Sequence, residues 1–140
     1  MKYKFIKMLD KKQVSTLHKL FKKEWWTSTR TKNDIKIMLK NTDIIIGIVN
    51  EEKKLIGFAR ILTDSIFKAE IYDIIIHDKY RNKKLGSALI NKILKHEKLS
   101  NVKQFNLQCK EEMIPFYKKS GFIDDLGNLV YMRYLPNTYK

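Results

Sequence analysis

The run AEIYDIIIHDKYRNKKLGSALINKIL, residues 69–94, decides how the rest of this chain is read. Ile71, Ile74, Ile75 and Ile76 give it a β-branched first third that turns polar at His77, the pattern of a buried strand. From Leu85 the apolar side chains recur at helical spacing, at Leu85, Ala88, Leu89 and Ile93, with Lys92 as an interruption. Strand, turn and helix therefore follow one another. The turn, Arg81-Asn82-Lys83-Lys84-Leu85-Gly86-Ser87, brings cationic side chains and several backbone N–H groups to the first turn of the helix. Those N–H groups have no intrahelical acceptor and carry the positive end of the helix dipole, so such a start suits a phosphate.

At 140 residues the chain is expected to form one domain, 1–140, with a hydrophobic core that needs no disulfide or metal. Its 44% hydrophobic and 31% charged residues describe a soluble globular protein. The one cysteine, Cys109, excludes a disulfide framework and reads as a small buried hydrophobe ending a strand. No residue spacing suggests a metal site. The N-terminal MKYKFIKMLD lacks the apolar stretch of a signal peptide, and no run is long enough to span a membrane, so a cytoplasmic setting is expected. The formal charge of +14 raises nucleic acid as a partner, but the lysines are scattered through every segment and form no stripe. That dispersal argues against it.

Along the chain, residues 2–8 read as a first strand and Asp10 as the N-cap of a helix whose Val14, Leu17, Leu20, Phe21 and Trp25 share a face. The pair Trp25-Trp26 cannot lie wholly on that face, so one ring is a candidate to line a cleft. Thr31 and Asp34 resemble a capping box for a second helix burying Ile35, Met38 and Leu39. Residues 43–49 and 55–62 read as strands joined by a polar turn, with Gly57 relieving crowding, and lead into the strand of the opening stretch. Beyond its helix come a strand at 102–109 and a helix at 111–120 closed by Gly121. Last strands are expected at Phe122 and at 129–135, around a Gly127-Asn128 turn.

This order of elements, with Arg81-x-x-Lys84-x-Gly86 at the turn and Pro115-Phe116-Tyr117-x-x-x-Gly121-Phe122 downstream, resembles the GNAT family of acetyl-CoA-dependent N-acetyltransferases. Glu24-Trp25-Trp26 and Gly57-Phe58-Ala59-Arg60 resemble a subgroup of small bacterial members. The resemblance implies a mixed α/β fold, a twisted and mostly antiparallel sheet flanked by helices, with acetyl-CoA in a notch between splayed central strands. Ile74, Ile75 and Ile76 would offer main-chain groups to the pantetheine arm, and Arg81, Asn82, Lys83, Lys84, Leu85, Gly86 and Ser87 would wrap the pyrophosphate. At Lys84 the family usually has glycine. Trp25, Trp26 and Arg30 would face the acceptor.

The implied reaction is direct transfer of an acetyl group to a primary amine, small or peptide-borne, by a cytoplasmic monomer or homodimer. It needs a neutral amine, a donor for the developing oxyanion and an acid for the departing thiolate. Tyr117 occupies the family's general-acid position. Glu70, eleven residues before Arg81, and Asp73, eight before it, both match positions where family members carry a base, and a water is the third candidate. Strand alternation sends Glu70 and Asp73 to opposite faces unless a bulge intervenes. A carboxylate among the isoleucines at 71–76 is costly unless paired, so Asp73 is either functional or hydrogen-bonded. Two rival readings are a non-catalytic acyl-CoA-binding domain and a nucleic-acid-binding module.

Overall fold

A computed structural model describes residues 1–136, and the chain forms two compact units, Met1–Gln108 and Cys109–Lys140. In the first, β1 (Lys4–Ile6) is followed by helices α1 (Lys11–Lys22) and α2 (Lys32–Lys40), then by strands β2 (Ile44–Val49), β3 (Leu55–Thr63) and β4 (Lys68–Ile76). Helix α3 (Leu85–Leu94) and a short strand β5 (Gln104–Asn106) complete it. The strands make one sheet in the order β1-β2-β3-β4-β5, antiparallel except for the β4–β5 pair.

The helix starts follow from local chemistry. The Asp10 carboxylate accepts the Gln13 N–H and the Gln13 side chain accepts the Asp10 N–H, both at 2.8 Å, and Thr31 and Asp34 exchange the same pair of bonds ahead of α2. Each such cap stabilises a helix by about 1 kcal/mol. Gln13 also donates to the Lys53 carbonyl, fixing the start of α1 to the β2–β3 turn. The sheet buries both faces. On one, Val14, Leu17, Leu20 and Phe21 of α1 and Ile35 of α2 pack with Val49, Leu55, Phe58 and Ile75. Phe21 and Phe58 meet edge to face at 6.1 Å. On the other lies α3, with Leu85, Leu89, Ile90 and Ile93 buried. A Cβ at Gly57 would approach Ile48 and Ile76 at 3.0 Å, so glycine permits the close strand contact expected there.

Several expectations need correction. Helix α1 ends at Lys22, because the Thr27 hydroxyl donates to the Phe21 carbonyl at 2.7 Å and folds the chain back. Trp25 therefore leaves the helical face and is 73% exposed. The strand expected at 102–109 shortens to β5, which pairs with β4 at Lys68, Ala69 and Glu70 only. Cys109 lies beyond it and is exposed, not buried.

In the second unit a 3₁₀ turn at Glu111–Met113 leads into α4 (Ile114–Lys118), shorter than expected because Pro115, without an N–H, suits only a first turn. Gly121, at φ +98°, ends it in the left-handed conformation that its position called for. Gly127 turns the chain at φ +66°, but no strand forms at Phe122 or at 129–135 among the described residues. An apolar run becomes a strand only against a partner edge, and this unit holds no other strand among the described residues.

Phe58 joins the helices to the sheet and is fully buried. Phe58→Ala is expected to lower unfolding stability by about 3–5 kcal/mol, read from urea denaturation.

Candidate active site

The pairing of β4 with β5 stops at Glu70 opposite Asn106, while β4 continues to Ile76. Among the described residues, 71–76 therefore keep one strand edge without a partner strand, and the central strands are splayed. At the apex Asn106 donates from Nδ2 to Glu70 Oε1 at 2.8 Å, and Glu70 is half-buried. Its other carboxylate oxygen has no hydrogen-bond donor among the described residues. Ile74, Ile75 and Ile76 line the open edge.

The strand leads into the phosphate-suited turn through His77, whose N–H donates to the Ile56 carbonyl at 2.8 Å. Burial, aided by Lys54, holds the His77 imidazole below its ordinary pKa, and its Nδ1 accepts the Lys79 N–H. A 3₁₀ turn at Asp78–Tyr80 follows. Arg81 donates from Nε to the Ile76 carbonyl at 3.1 Å and from Nη2 to Glu24 at 3.2 Å. Asn82 and Lys84 both adopt left-handed conformations, at φ +63° and +64°. Lys84 is the N-cap of α3 and makes no side-chain cap bond. The first helical bond runs from the Ala88 N–H to the Lys84 carbonyl. The N–H groups of Leu85, Gly86 and Ser87 consequently have no acceptor among the described residues, and the first turn carries no acidic side chain. An anion with several oxygens, such as a pyrophosphate, fits this start. The Lys83 and Lys84 side chains are exposed and Leu85 is buried. Lys84 directs its charge outward, and its backbone takes the shape for which glycine is usual.

Asp73 sits in a β-bulge. Phe58 pairs with Ile75 and Arg60 with Tyr72, so one residue of β3 opposes two of β4, and Asp73 has φ +56°. Its carboxylate is buried between two guanidinium groups. Arg30 approaches Oδ2 and Oδ1 at 2.7 and 3.1 Å, and Arg60 Nε approaches Oδ2 at 2.6 Å. Arg30 also lies over the Phe21 ring at 4.8 Å, and Arg60 over the Tyr72 ring at 4.9 Å. Tyr72 shares a face with Glu70 by alternation, and the bulge brings the Asp73 carboxylate to that face as well. Arg30, expected to face an acceptor, is thus the partner of Asp73. Trp25 and Trp26 are both exposed on the loop between α1 and α2. Asp64 accepts the N–H groups of Ile66, Phe67 and Lys68, which hold its pKa below the ordinary value and make it the organiser of a turn.

In the second unit Tyr117 is buried, with Phe116 and Phe122 against its ring edge to face. Burial pushes its phenol up to about 12, so the hydroxyl stays protonated at neutral pH. No described residue hydrogen-bonds that hydroxyl.

Residues 11–122 match the model of the Acetyltransferase (GNAT) family. The chain belongs to this family. Its GNAT relatives include the uncharacterized N-acetyltransferase ycf52 of Pyropia yezoensis, 33% identical over 73% of this chain and 60% of that protein. Histone acetyltransferase TAP1 of Glycine max is 33% identical over 63% of this chain and 38% of its own length. The chain thus spans about 60% of the Pyropia yezoensis relative and less of the Glycine max one. Among solved structures, a protein assigned to the GNAT family from Xanthomonas campestris superposes with a TM-score of 0.84 at 18% identity, covering 99% of this chain and 97% of that one. Glucosamine-6-phosphate N-acetyltransferase from Arabidopsis thaliana gives 0.73 at 18% identity, over 97% and 100%. At that identity these two share the fold.

Two site residues escaped the sequence reading. Arg60 stood out only as part of a family segment, although a lone arginine in an apolar strand signals a buried ion pair. Asn106 carried no signal, because its contact with Glu70 depends on where β5 docks.

Asp73→Asn leaves two guanidinium groups facing a neutral amide. With Arg30 partly exposed, the expected loss is about 2–4 kcal/mol of unfolding stability. A fall in turnover at unchanged stability would instead make Asp73 a participant in the chemistry. At position 84, glycine is expected to preserve or raise stability, whereas Lys84→Val should lower it by about 1–2 kcal/mol because β-branched side chains resist positive φ. Thermal melts of the two variants check this.

Proposed function

We propose that this chain is an N-acetyltransferase that moves the acetyl group of acetyl-CoA directly to a primary amine. The observation that carries the reading is the course of β4, which runs from an open notch straight into an uncapped, cationic helix start. Both halves of a pantetheine diphosphate find complementary groups there: strand-edge amides and carbonyls along 74–76, and helix-start N–H groups at 85–87 with Arg81, Asn82, Lys83 and Lys84 beside them. We read 1–140 as one catalytic domain, supported by a family match that runs unbroken across the boundary at residue 108.

Acetyl-CoA supplies the activated acyl group: a C–N bond forms as the C–S bond breaks, one proton leaves the amine and one reaches the thiolate. Glu70 is the base that the geometry favours. It stands at the apex of the notch, oriented through one oxygen by Asn106, with the other free to take a proton directly or through a water. Asp73, with both oxygens engaged by guanidinium groups, is better suited to anchoring than to proton transfer. Tyr117, protonated at every physiological pH, serves as the acid for the thiolate. Reaction in the cytoplasm, as a monomer or homodimer, remains part of the proposal. Among the described residues no helix is long and apolar enough to cross a membrane.

The test is a thermal-shift titration with acetyl-CoA, followed by an amine panel read by thiol release. A rise in melting temperature and acetyl-CoA-dependent turnover are expected. No shift at saturating acetyl-CoA overturns the proposal, and a shift with no amine turned over favours a non-catalytic binding domain. Tyr117→Phe is expected to lower kcat about 100-fold at unchanged acetyl-CoA affinity, and Glu70→Gln to remove the acidic limb of kcat/KM.

A further inference from the structure

Arg60 is held more firmly than an arginine serving only one carboxylate needs to be. Nε is bonded to Asp73 Oδ2, the guanidinium plane rests on Tyr72, and the side chain is 15% exposed. Its two terminal nitrogens have no hydrogen-bond acceptor among the described residues. Every buried side-chain nitrogen and oxygen among those residues has a partner, so these nitrogens reach solvent. The charges do not cancel either. Arg30 and Arg60 share the single carboxylate of Asp73, and one positive charge is left over in a largely buried setting. Arg30 closes a two-point contact with Asp73, which leaves the terminal edge of Arg60 as the open side of the cluster.

The location matters as much as the charge. Arg60 is the cross-strand partner of Tyr72, just past the point where β4 and β5 part. By alternation Tyr72 shares its face with Glu70. A rigid guanidinium edge with parallel N–H donors matches a carboxylate in two-point geometry.

We infer that the free edge of Arg60 binds a carboxylate of the acceptor, and that the acceptor is an amine carrying a carboxylate, such as an amino acid. The inference rests on the acetyltransferase reading. Asp73 then fixes the orientation of Arg60 and still leaves the cluster with charge to offer. Arg60 is accordingly a specificity-determining residue.

The test is equilibrium binding, by calorimetry in the presence of CoA, of a series of N-acetyl amino acids against their C-terminal amides, together with kcat/KM for the matching free amino acids and amino-acid amides. At least one carboxylate member is expected to bind at least about tenfold more tightly than its amide. Arg60→Gln should shrink that preference to within about threefold while acetyl-CoA binding is retained, and Arg60→Lys should restore part of it. If no carboxylate is preferred, or if Arg60→Gln weakens acid and amide equally, the inference is overturned while CoA binding and amine turnover stand. Absence of any CoA binding would instead remove the acetyltransferase reading beneath it. Because product binding is read without turnover, the comparison of acid with amide holds even for a slow catalyst.

Discussion

A carboxylate placed in a strand of isoleucines has to be neutralised where it stands. Asp73 meets that requirement with two arginines from different parts of the chain, Arg30 from the loop after α1 and Arg60 from β3. The ion-pair cluster thereby ties a loop to two strands at the point where β4 bulges. Its aromatic supports, Phe21 beneath Arg30 and Tyr72 beneath Arg60, connect it to the core between the helices and the sheet. The charge is thus held by the same packing that holds α1 against the sheet, and the open edge of β4 lies beside it.

The other half of the site is built from backbone. An uncapped helix start with two left-handed residues ahead of it leaves N–H groups that only an outside acceptor can satisfy. Natural helices seldom leave this end bare, and α1 and α2 of the same chain both close theirs with a capping box. The contrast within one molecule sets the start of α3 apart and supports the proposal that a ligand binds there. Arg81 adds charge while its side chain is already bonded to Ile76 and Glu24, so its position is set before any phosphate arrives.

Much of this was legible in the sequence because it is local. The capping residues Asp10 and Thr31, the crowding at Gly57, the left-handed Gly121 and the strand-turn-helix of 69–94 each depend on neighbours a few residues away. The order of elements was read from patterning, and the family resemblance added the expectation of a mostly antiparallel sheet with splayed central strands. What the sequence could not reveal depends on distant parts of the chain. The Thr27 hydroxyl removed Trp25 from a helical face by bonding to a carbonyl six residues back. The docking of β5 fixed the length of its pairing and the partnership of Asn106 with Glu70. An apolar tail at 129–135 reads as a strand, yet strand formation requires a partner edge that sequence periodicity does not reveal. Asp73 was expected to be either functional or hydrogen-bonded; the partners it has, Arg60 and Arg30, followed from the cross-strand register and from a loop more than forty residues away.

The bulge at Asp73 also decides which face the end of β4 presents. Ile71 and Ile75 are four residues apart, and simple alternation would put them on the same face. The extra residue separates them: Ile75 joins the cluster around α1, while Ile71 pairs with Ile61 away from that cluster. Straightening the bulge at constant length would turn the end of β4 over, carrying the open edge and the entrance to the helix turn with it, whereas deleting one of the two bulged residues would leave Ile71 and Ile75 on opposite faces as they are now. At its present length this strand serves two cores only through the bulge, which also carries Asp73 to its two arginines.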